Sequence, residues 1–416
     1  MANVSSSNGL EKRPKLRFPG FGEPWEEKKL GELLSPRVEK QIPSEEAPLM
    51  AFTAEGGVEP KGERYDRSYL VKSDDKLYKR TEFNDFIYSS NNLDVGSIGL
   101  NKYGTAVISD VYEIFRVKPD NSPTFMSELI QRPHNIAEIL KYRQGCLYGQ
   151  YRIYAEDFLN VSVLVPTKLE QEKVSQLFDA LDHRIEHQAS LIKALKKYKR
   201  GLSDTLFAHI VQRSDCQIMN LGEVFELLQN NTFSREELTD IPSSVQNIHY
   251  GDVLIKYRAI VNIVADKPPY IKPDIDLQKF SPASYLCDGD IVFADTAEDY
   301  SVGKAIEITG TNGQAVLSGL HTIPCRPLVK FHPMYLGFYF NSSLFRTQIY
   351  PLVQGTKVSS ISKGELVKAS VHVPTLEEQK KIALLLYSMD YRIALEEKKS
   401  SDLITARAAL LQQLFI

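Results

Sequence analysis

Cysteine and tryptophan are both scarce in this chain. Its 416 residues contain one tryptophan and four cysteines, and the cysteines lie far apart with no Cys-x-x-Cys pair: Cys146, Cys216, Cys287 and Cys325. Zinc sites need close pairs of ligands, and disulfide-rich domains need dense, regularly spaced cysteines. The sequence therefore argues against both, and it favours a reducing compartment such as the cytoplasm.

Long apolar runs and a secretory signal are also missing. No stretch of eighteen or more apolar residues occurs, so we expect no membrane-spanning helix. The first ten residues, Met1–Leu10, lack a basic start followed by an apolar core. Such a start and core mark a secretory signal, so a cytoplasmic location is expected.

An excess of positive charge is absent as well. The formal net charge is −3, whereas a domain that binds nucleic acid by itself is usually basic. Local clusters of charge matter more for binding than the sum does. We therefore expect the affinity of the chain for DNA to be modest when it is alone.

The motifs of common enzyme classes are incomplete. An amino-methyltransferase needs Asn or Asp before Pro-Pro-Tyr, but here Lys267 fills that place, and an ammonium cannot accept a hydrogen bond from an amine. Gly303-Lys304 lacks the earlier glycine and the following hydroxyl of a phosphate-binding loop. Glu378-Gln-Lys380 has the Glu-x-Lys spacing of some nucleases, but it falls in a long predicted helix and chance explains it. The histidines are scattered. We expect no catalysis, metal or cofactor in this chain alone.

The chain contains an internal duplication. The stretch from Val165 to Val174 returns from Val373 to Ile382, and the similarity continues without a gap to Phe207 and Phe415. A shorter match, Leu-Gly-Glu at Leu30 and again at Leu221, precedes each copy. A unit of about half the chain has therefore been repeated, which predicts a scaffold with two-fold pseudo-symmetry.

Two α+β domains of one design are predicted between the repeated blocks. Residues 1–29 form a polar arm that Trp25 anchors to the body. The first domain spans residues 30–165 and the second spans residues 215–373. Each has apolar strand patterns, a helix pattern interrupted by a proline or turn, and a final alternating strand. Phe86–Ser89, Ala106–Ser109 and Glu113–Val117 are strands of the first domain.

A long helix is predicted after each domain, at residues 166–214 and 374–416. Apolar residues recur with a period of 3.5, which marks a coiled-coil seam. The seam residues are Val174, Phe178, Leu181, Ile185, Ile192, Leu195, Leu202 and Leu206, then Ile382, Leu386, Met389, Ile393, Leu403, Leu410 and Leu414. Polar residues interrupt it at Gln188, Lys199, Glu396, Ser400 and Arg407. Each helix could instead pack on its own domain, but the narrow seam favours antiparallel pairing of the two helices.

Basic residues are interleaved with aromatics and glycines in both domains. Arginine and lysine can contact phosphates or guanine, and glutamine can pair with adenine. The candidate DNA-binding residues are Lys79, Arg80, Lys102, Tyr103, Arg143, Tyr148, Gln150, Tyr151 and Arg152 in the first domain, and Lys304, Gln354, Thr356, Lys357 and Ser359 in the second. An ordinary solvated surface is the alternative for any one cluster. We interpret the basic run from Lys193 to Arg200 as a solvated helix face, and a surface that binds a partner is the alternative.

The pattern resembles the specificity subunit of type I restriction–modification enzymes over essentially the whole chain. The segments that carry the resemblance are Pro14–Pro19, Trp25-Glu26 with Leu30-Gly-Glu32, the two Val-Pro-Thr…Glu-Gln blocks at 165–171 and 373–379, and the helix ends at Leu206-Phe207 and Leu410–Phe415. No single motif is specific. Two copies of these motifs in this order, each followed by a coiled-coil pattern, are specific to the family.

The resemblance implies a function and a set of partners. Such a subunit reads a split double-stranded DNA sequence in a phage-defence system, with one half for each target-recognition domain and the coiled coil as a ruler between them. It docks two adenine-N6 methyltransferase subunits and two ATP-driven translocase–nuclease subunits. S-adenosylmethionine, ATP and magnesium then belong to those partners, and this chain holds no cofactor.

Two other classes of function stay open from the sequence. One is a coiled-coil adaptor that binds only protein, which would give no methyltransferase-dependent protection of DNA. The other is a fused restriction–methylase subunit with hidden catalysis, against which Lys267 argues. Genes for a methyltransferase and a helicase–nuclease beside this one would favour the specificity subunit.

Overall fold

The structure is a computed structural model. It describes residues 12–54, 56–60, 76–91, 93, 97–147, 150–355 and 358–416, with backbone alone at 146, 147 and 150. The chain divides into two compact units: unit 1 comprises Met1–Ala189 and Lys399–Ile416, and unit 2 comprises Ser190–Lys398. Among the helices of the described residues, none is both long and apolar enough to cross a membrane.

Unit 1 is an α+β unit. Its strands are β1 Glu26–Lys29, β2 Leu34–Pro36, β3 Lys40–Gln41, β4 Met50–Thr53, β5 Gly57–Pro60, β6 Tyr78–Thr81, β7 Phe86–Ser89, β8 Ile98–Leu100, β9 Ala106–Ile108, β10 Tyr112–Val117, β11 Gln144–Leu147, β12 Gln150–Arg152 and β13 Ser162–Val165. Its helices are α1 Leu30–Leu33, α2 Pro123–Ile130, α3 Pro133–Leu140, α4 Ala155–Leu159 and the first part of α5 Lys168–Val211. The three strands predicted from the sequence are present as β7, β9 and β10.

The strands of unit 1 form small sheets around one main core. The largest sheets have the orders β2-β10-β7-β8 and β3-β6-β9, and β1 pairs with β13. The apolar faces of β7 and β10 lie with α2, α3 and the start of α5 in one cluster of buried side chains. The helix pattern from Phe125 to Tyr142, predicted to be interrupted near Pro133, forms α2 and α3. The second helix begins at Pro133, because proline fits only the first turn of a helix.

Unit 2 repeats this plan, and its strands follow in chain order. They are β14 Gln217–Asn220, β15 Phe225–Leu227, β16 Leu238–Thr239, β17 Val245–Ile248, β18 Ile260–Asn262, β19 Tyr270–Ile271, β20 Ile291–Ala294, β21 Thr296–Ala297, β22 Ala305–Thr309, β23 Ala315–Ser318, β24 Thr322–Pro327, β25 Ser359–Ser360 and β26 Ser370–Val373. The helices are α6 Leu221–Val224, α7 Tyr250–Ile255, α8 Ile263–Asp266, α9 Tyr335–Phe340, α10 Ser343–Ile349, α11 Lys363–Leu366 and α12 Leu376–Leu414, which continues into unit 1.

The sheets of unit 2 place equivalent strands in equivalent positions. The central sheet has the order β15-β24-β20-β22-β18, and β14 pairs with β26 as β1 pairs with β13. Strand β20 therefore corresponds to β7, and β26 corresponds to β13. The main core packs β20 and β24 against α9, α10 and parts of α5 and α12.

The repeated Leu-Gly-Glu makes the same turn in both units. The backbone N–H of Leu30 donates to Val161 O at 2.9 Å, and that of Leu221 donates to Ala369 O at 2.8 Å. Glu32 and Glu223 each accept the backbone N–H of the residue before the short helix, at 2.9 and 2.8 Å. The glycine lets this turn approach the preceding segment closely, since a Cβ on Gly31 would lie 3.3 Å from Leu159 O. The two Leu-Gly-Glu segments thus form the same short helix, held by the same contacts, in both units.

The second repeated block forms the junction between the last strand and the long helix. The Gln171 amide donates to Pro166 O at 3.1 Å and accepts from the backbone N–H of Ser122 at 3.0 Å. Gln379 does the same with Pro374 O and His332 N, both at 2.8 Å. Both glutamines are buried. Because a buried backbone group without a partner is costly, one amide that satisfies two such groups explains why glutamine recurs here.

The long helices pair antiparallel in each unit. In unit 1, Arg407 of α12 binds Asp182 of α5, and Phe415 packs 6.1 Å from Phe178 between ring centroids. In unit 2, Lys199 of α5 binds Asp390 of α12 at 2.6 Å, and Lys196 binds Glu397 at 2.8 Å. In both units, as the residue number on α5 decreases, the number of its partner on or beside α12 increases, so the two helices are antiparallel. All predicted seam residues are buried or half-buried, and the predicted α+β fold with an antiparallel helix pair is confirmed.

The arm before Leu30 packs on the end of α12. The backbone N–H of Leu16 donates to Gln413 O at 2.9 Å. Trp25 is only 2% exposed, and its ring meets Phe125 and Phe415 edge-on at 5.7 and 6.2 Å. Arg17 also forms an ion pair with the buried Glu170 at 2.5 Å. The predicted role of Trp25 as an anchor is confirmed, and its ring packs on Phe125 of α2 and on Phe415, directly after α12.

Candidate nucleic-acid interface

A hairpin occupies the same place in both units. It lies between α3 and α4 in unit 1, and between α10 and α11 in unit 2. In unit 1, β11 and β12 pair Gln144 with Arg152, and Arg152 also bridges Asn91, just after β7. In unit 2, Gln354 bridges Ser360, and β25 pairs with β21, just after β20. Each hairpin is therefore attached to the end of the central strand of its domain. We call these two segments the recognition hairpins, residues 144–152 and 354–360.

Arginine side chains stack on tyrosines along the first hairpin. Arg143 lies 5.1 Å from the ring centroid of Tyr151, and Arg152 lies 4.9 Å from that of Tyr154. Tyr151 and Tyr154 are 45% and 46% exposed. Arg143 also donates through Nε to Leu140 O at 3.1 Å. The planar guanidinium, with several donors, suits contacts with phosphates and base edges. Sequence reasoning missed Tyr154, whose alternation with Arg152 was the available signal.

The second hairpin has a turn that only glycine can make. Gly355 has φ +105°, and a Cβ there would lie 2.0 Å from Val358 O. The strands close through mutual backbone bonds between Gln354 and Ser360 at 2.8 and 2.9 Å. Predicted residues Thr356 and Lys357 lie outside the described residues, as do Tyr148 and the side chain of Gln150 in the first hairpin. Ser359 lies in β25.

An arginine–tyrosine stack also precedes the second hairpin. Arg346 lies 5.2 Å from the ring centroid of Tyr350, and Tyr350 begins the single helical turn Tyr350–Leu352 that leads to Gln354. The Arg346 guanidinium donates to Val302 O and Tyr300 O at 2.7 and 2.6 Å. Neither residue was predicted. The local signal for the pair was its i, i+4 spacing, with Arg346 in α10 and Tyr350 directly after that helix.

Four other predicted residues of unit 1 lie away from the hairpin strands. Lys79 donates to Glu113 at 2.8 Å, and Glu113 also faces Arg152 at 3.5 Å. Arg80 forms an ion pair with Glu82 at 3.1 Å. Lys102 lies 5.7 Å from the ring centroid of Phe83, beside the half-exposed Tyr103. Glu113 thus joins Lys79 to the hairpin, whereas the segment that contains Lys102 and Tyr103 is a separate exposed loop.

Lys304 is turned into its own domain. Its ammonium donates to Leu254 O and Tyr257 O, both at 2.9 Å. Burial lowers the pKa of Lys304, and the charge of nearby Arg346 lowers it further. Because its donors hold the end of α7, we omit Lys304 from the residues proposed to touch DNA. Within the described part of the chain, no three His, Cys, Asp or Glu side chains form a group suited to a metal ion.

The sequence of unit 2 matches a known family. Residues 213–405 fit the model of the type I restriction modification DNA specificity domain. The match covers the second globular domain and most of α12, and it confirms the resemblance to the specificity subunits that was predicted from the repeated blocks.

Two relatives that match much of the chain carry the names of type I specificity subunits. Over 276 residues the chain is 22% identical to the type I restriction enzyme MjaVIII specificity subunit of Methanocaldococcus jannaschii, with 62% of each protein covered. The alignment thus spans less than two thirds of that relative's length. Over 363 residues it is 20% identical to the putative MjaX specificity subunit of the same organism, with 83% of this chain and 80% of that protein covered.

The fold of this chain is similar to those of solved chains from type I restriction–modification systems. The S subunit of a type I restriction–modification system from M. genitalium superposes with a TM-score of 0.56 at 15% identity, with 97% of this chain and 99% of that chain covered. A chain from a study of complex assembly and conformational transition of the type I R-M system gives 0.54 at 16% identity, with the same coverage. At these identities the likeness concerns the fold.

Proposed function

We propose that this chain is the DNA-sequence-specificity subunit of a type I restriction–modification system. Each globular domain reads one half of a bipartite DNA site. The observation that carries the proposal is the repeated recognition hairpin, which is attached to the end of the central strand in both units and bears different residues in each. Two equivalent surfaces with different side chains suit two different half-sites.

The proposed reading residues lie in or beside the two hairpin segments, and those of unit 1 are exposed. In unit 1 they are Arg143, Tyr151 and Arg152, joined by Tyr154. In unit 2 they are Gln354, Thr356, Lys357 and Ser359. Arg143 and Arg152 support the proposal because their stacking on exposed tyrosines holds their donors at the surface.

The chain directs catalytic partners rather than catalysing a reaction. We propose two adenine-N6 methyltransferase subunits and two ATP-dependent nuclease subunits as those partners. S-adenosylmethionine, ATP and magnesium are then held by the partners and not by this chain. The names of the relatives, which are type I restriction enzyme specificity subunits, support this assignment.

Methylome sequencing tests the proposal. The full chain is co-expressed with the methyltransferase encoded beside it, and genomic DNA is sequenced on single molecules for N6-methyladenine. We expect a new split motif, methylated on both strands, that is absent when either protein is expressed alone. A stable complex that binds DNA no better than the methyltransferase alone, and methylates nothing, would instead indicate an adaptor that binds only protein.

A further inference from the structure

Unit 2 contains a cleft between α5 and its globular domain. The cleft has a volume of about 970 Å³. One wall is α5, with Lys196, Lys199 and Arg200, and the opposite wall includes Lys256, at the end of α7, and Arg346 of α10. With Arg258 and Lys304, seven cationic side chains line the cleft against three carboxylates, Asp204, Asp390 and Glu397.

The three carboxylates of the cleft already have partners. Asp390 binds Lys199 at 2.6 Å. Glu397 binds both Lys196 and Arg258, at 2.8 and 2.5 Å. Asp204 accepts a hydrogen bond from the Ser343 hydroxyl at 2.6 Å. Two of the three carboxylates are therefore paired with cations. Asp204, whose hydroxyl partner is uncharged, is the one carboxylate of the lining that opposes the remaining four cations.

The remaining four cations keep the cleft positive. Lys304 and Arg346 bind backbone carbonyls, which carry no net charge. Arg200 and Lys256 are exposed and form no ion pair with any residue that the structure describes, although Lys256 lies 5.4 Å from the ring centroid of Tyr257. Arg200 on α5 and Lys256 at the end of α7 thus remain as exposed cations without an ion pair among the described residues.

The cleft leads towards the second recognition hairpin. Arg346 and Tyr350 belong to its lining and stack on each other. Tyr350 starts the turn that ends two residues before Gln354. A DNA strand that touches this hairpin would therefore lie next to the cations of the cleft.

The basic side chains of this segment belong to one copy of the repeat only. Counted along the gapless repeat, Lys196 and Arg200 of α5 correspond to Ile404 and Ala408 of α12, and the neighbouring Lys193 and Lys197 correspond to Ser401 and Thr405. The seam cation is retained, because Lys199 corresponds to Arg407. The scaffold has the seam cation in both copies, and Lys196 joins the two helices in unit 2 alone through Glu397. Arg200 has no ion pair with any residue that the structure describes, which points to a role for it outside the scaffold.

We propose that this cleft binds the phosphate backbone of duplex DNA next to the half-site that unit 2 reads. The inference rests on the proposed function and deepens it, because the contact is independent of sequence and the equivalent segment of α12 lacks its charges. Backbone contacts of this kind set position and affinity, whereas base contacts set sequence preference. DNA is favoured over an acidic protein segment because the cleft adjoins the recognition hairpin.

A charge-neutralising variant tests the cleft. Arg200→Gln/Lys256→Gln removes one cation from each wall at exposed positions, where substitutions change stability by less than about 0.5 kcal/mol. The control Lys380→Gln/Lys398→Gln removes two exposed cations from α12 outside the cleft lining. Binding of each full chain to a random-sequence duplex of about 30 base pairs is measured between about 50 and 200 mM salt.

We expect the cleft variant to bind the duplex at least about threefold more weakly at low salt, with a salt dependence reduced by about one to two in log–log slope. The control should match the parent chain. Equal behaviour of the two variants, or a parent chain that does not bind the duplex at low salt, would overturn the inference. So would a loss of poly-glutamate binding with duplex binding unchanged, which would indicate an acidic protein ligand.

Methylome sequencing of cells that co-express the cleft variant with the methyltransferase separates the two proposals. An unchanged split motif together with unchanged duplex binding would remove the cleft inference and leave the proposed function intact. Absence of any motif with the parent chain, despite duplex binding through the cleft, would contradict the proposed function alone.

Discussion

Lys199 Nζ lies 2.6 Å from Asp390 Oδ1, and the repeat-equivalent residues Arg407 and Asp182 form the same ion pair in the other unit. Both pairs join the two long helices at seam positions that an apolar coiled coil would fill with leucine. A polar seam position lowers stability but specifies register and direction. Each pair can form only when the helices are antiparallel and in this register, so the two pairs specify the pairing of the helices.

The first prediction concerns the coupling of Lys199 with Asp390. A double-mutant cycle with Lys199→Gln and Asp390→Asn should give a coupling free energy of about 1 kcal/mol, because both side chains are largely shielded from water. Hydrogen exchange of the α12 amides near Asp390 measures the free energy of local opening. Lys197→Gln is the control, and it should not couple with Asp390→Asn. A coupling as small as that of the control would mean that the pair does not specify register.

The second prediction separates Arg407 from Lys199. Arg407 donates to both oxygens of Asp182 and also to Glu128 of α2 at 2.6 Å, and the bonds with Asp182 raise its pKa. Lysine cannot span these acceptors with one point charge. Arg407→Lys should therefore lower the opening free energy of α12 in unit 1 by about 1–2 kcal/mol. Lys199→Arg should cost far less, and equal effects of the two exchanges would contradict the argument.

The third prediction tests the junction glutamines. Gln379→Leu removes the partner of a backbone N–H and of a backbone carbonyl, those of His332 and Pro374. Leaving such groups buried without partners costs about 1–3 kcal/mol each. Thermal unfolding should show a lower midpoint, and Gln171→Leu should have a similar effect in the other unit. Gln412→Leu, at an exposed position of α12, is the control and should leave the midpoint unchanged.

The fourth prediction concerns Glu307 and pH. This carboxyl is 2% exposed, and burial raises its pKa from 4.5 to about 7, although it accepts backbone N–H bonds from Met334 and Gly337. Between pH 4.5 and about 7 the folded state holds a proton that the unfolded state releases, so stability contributed by this group falls as pH rises.

Thermal unfolding across this pH range checks the sign. The parent chain should lose stability relative to Glu307→Gln as pH rises from about 4.5 to about 7, because the variant has no proton to release. Glu298→Gln, at an exposed position, should retain the slope of the parent chain. A Glu307→Gln profile parallel to that of the parent would show that this carboxyl does not titrate in the folded state.

The fifth prediction tests the recognition hairpins. Arg143→Ala or Arg152→Ala in the methyltransferase complex should weaken recognition of one half-site by about 1–3 kcal/mol and leave the other intact. Lys357→Ala is the equivalent change for the second domain. Binding is compared on duplexes altered in one half of the methylated motif at a time. Lys173→Ala, on the exposed face of α5, is the control, and uniform weakening of both halves would refute the assignment of one half to each domain.

Local patterns account for what could be predicted from the amino-acid sequence. The period of 3.5 along α5 and α12 predicted two paired helices, and nearly all of the predicted scaffold follows from such short-range patterns. The role of Trp25 followed from its chemistry, since a large amphipathic ring is worth more buried than exposed. The alternation of Arg143, Tyr151 and Arg152 indicated a binding surface, although not its shape.

Longer-range contacts explain what the sequence analysis missed. Lys304 and Lys357 look equally suitable in the sequence, yet Lys304 is turned towards the carbonyls of Leu254 and Tyr257, some fifty residues earlier in the chain. The stack of Arg346 on Tyr350 became meaningful only when both were found beside α5. No periodicity reports on such encounters, because they depend on how separate elements pack.

The sequence by itself determined the duplication, the helix period and the polar seam positions, since each depends on residues a few places apart. Only the tertiary structure decided which acidic residue each seam cation meets, which strand each recognition hairpin joins, and that the basic run of α5 forms one wall of a cleft. Those choices depend on which surfaces exclude water together, and that is set by the packing of the whole unit rather than by any local stretch of chain.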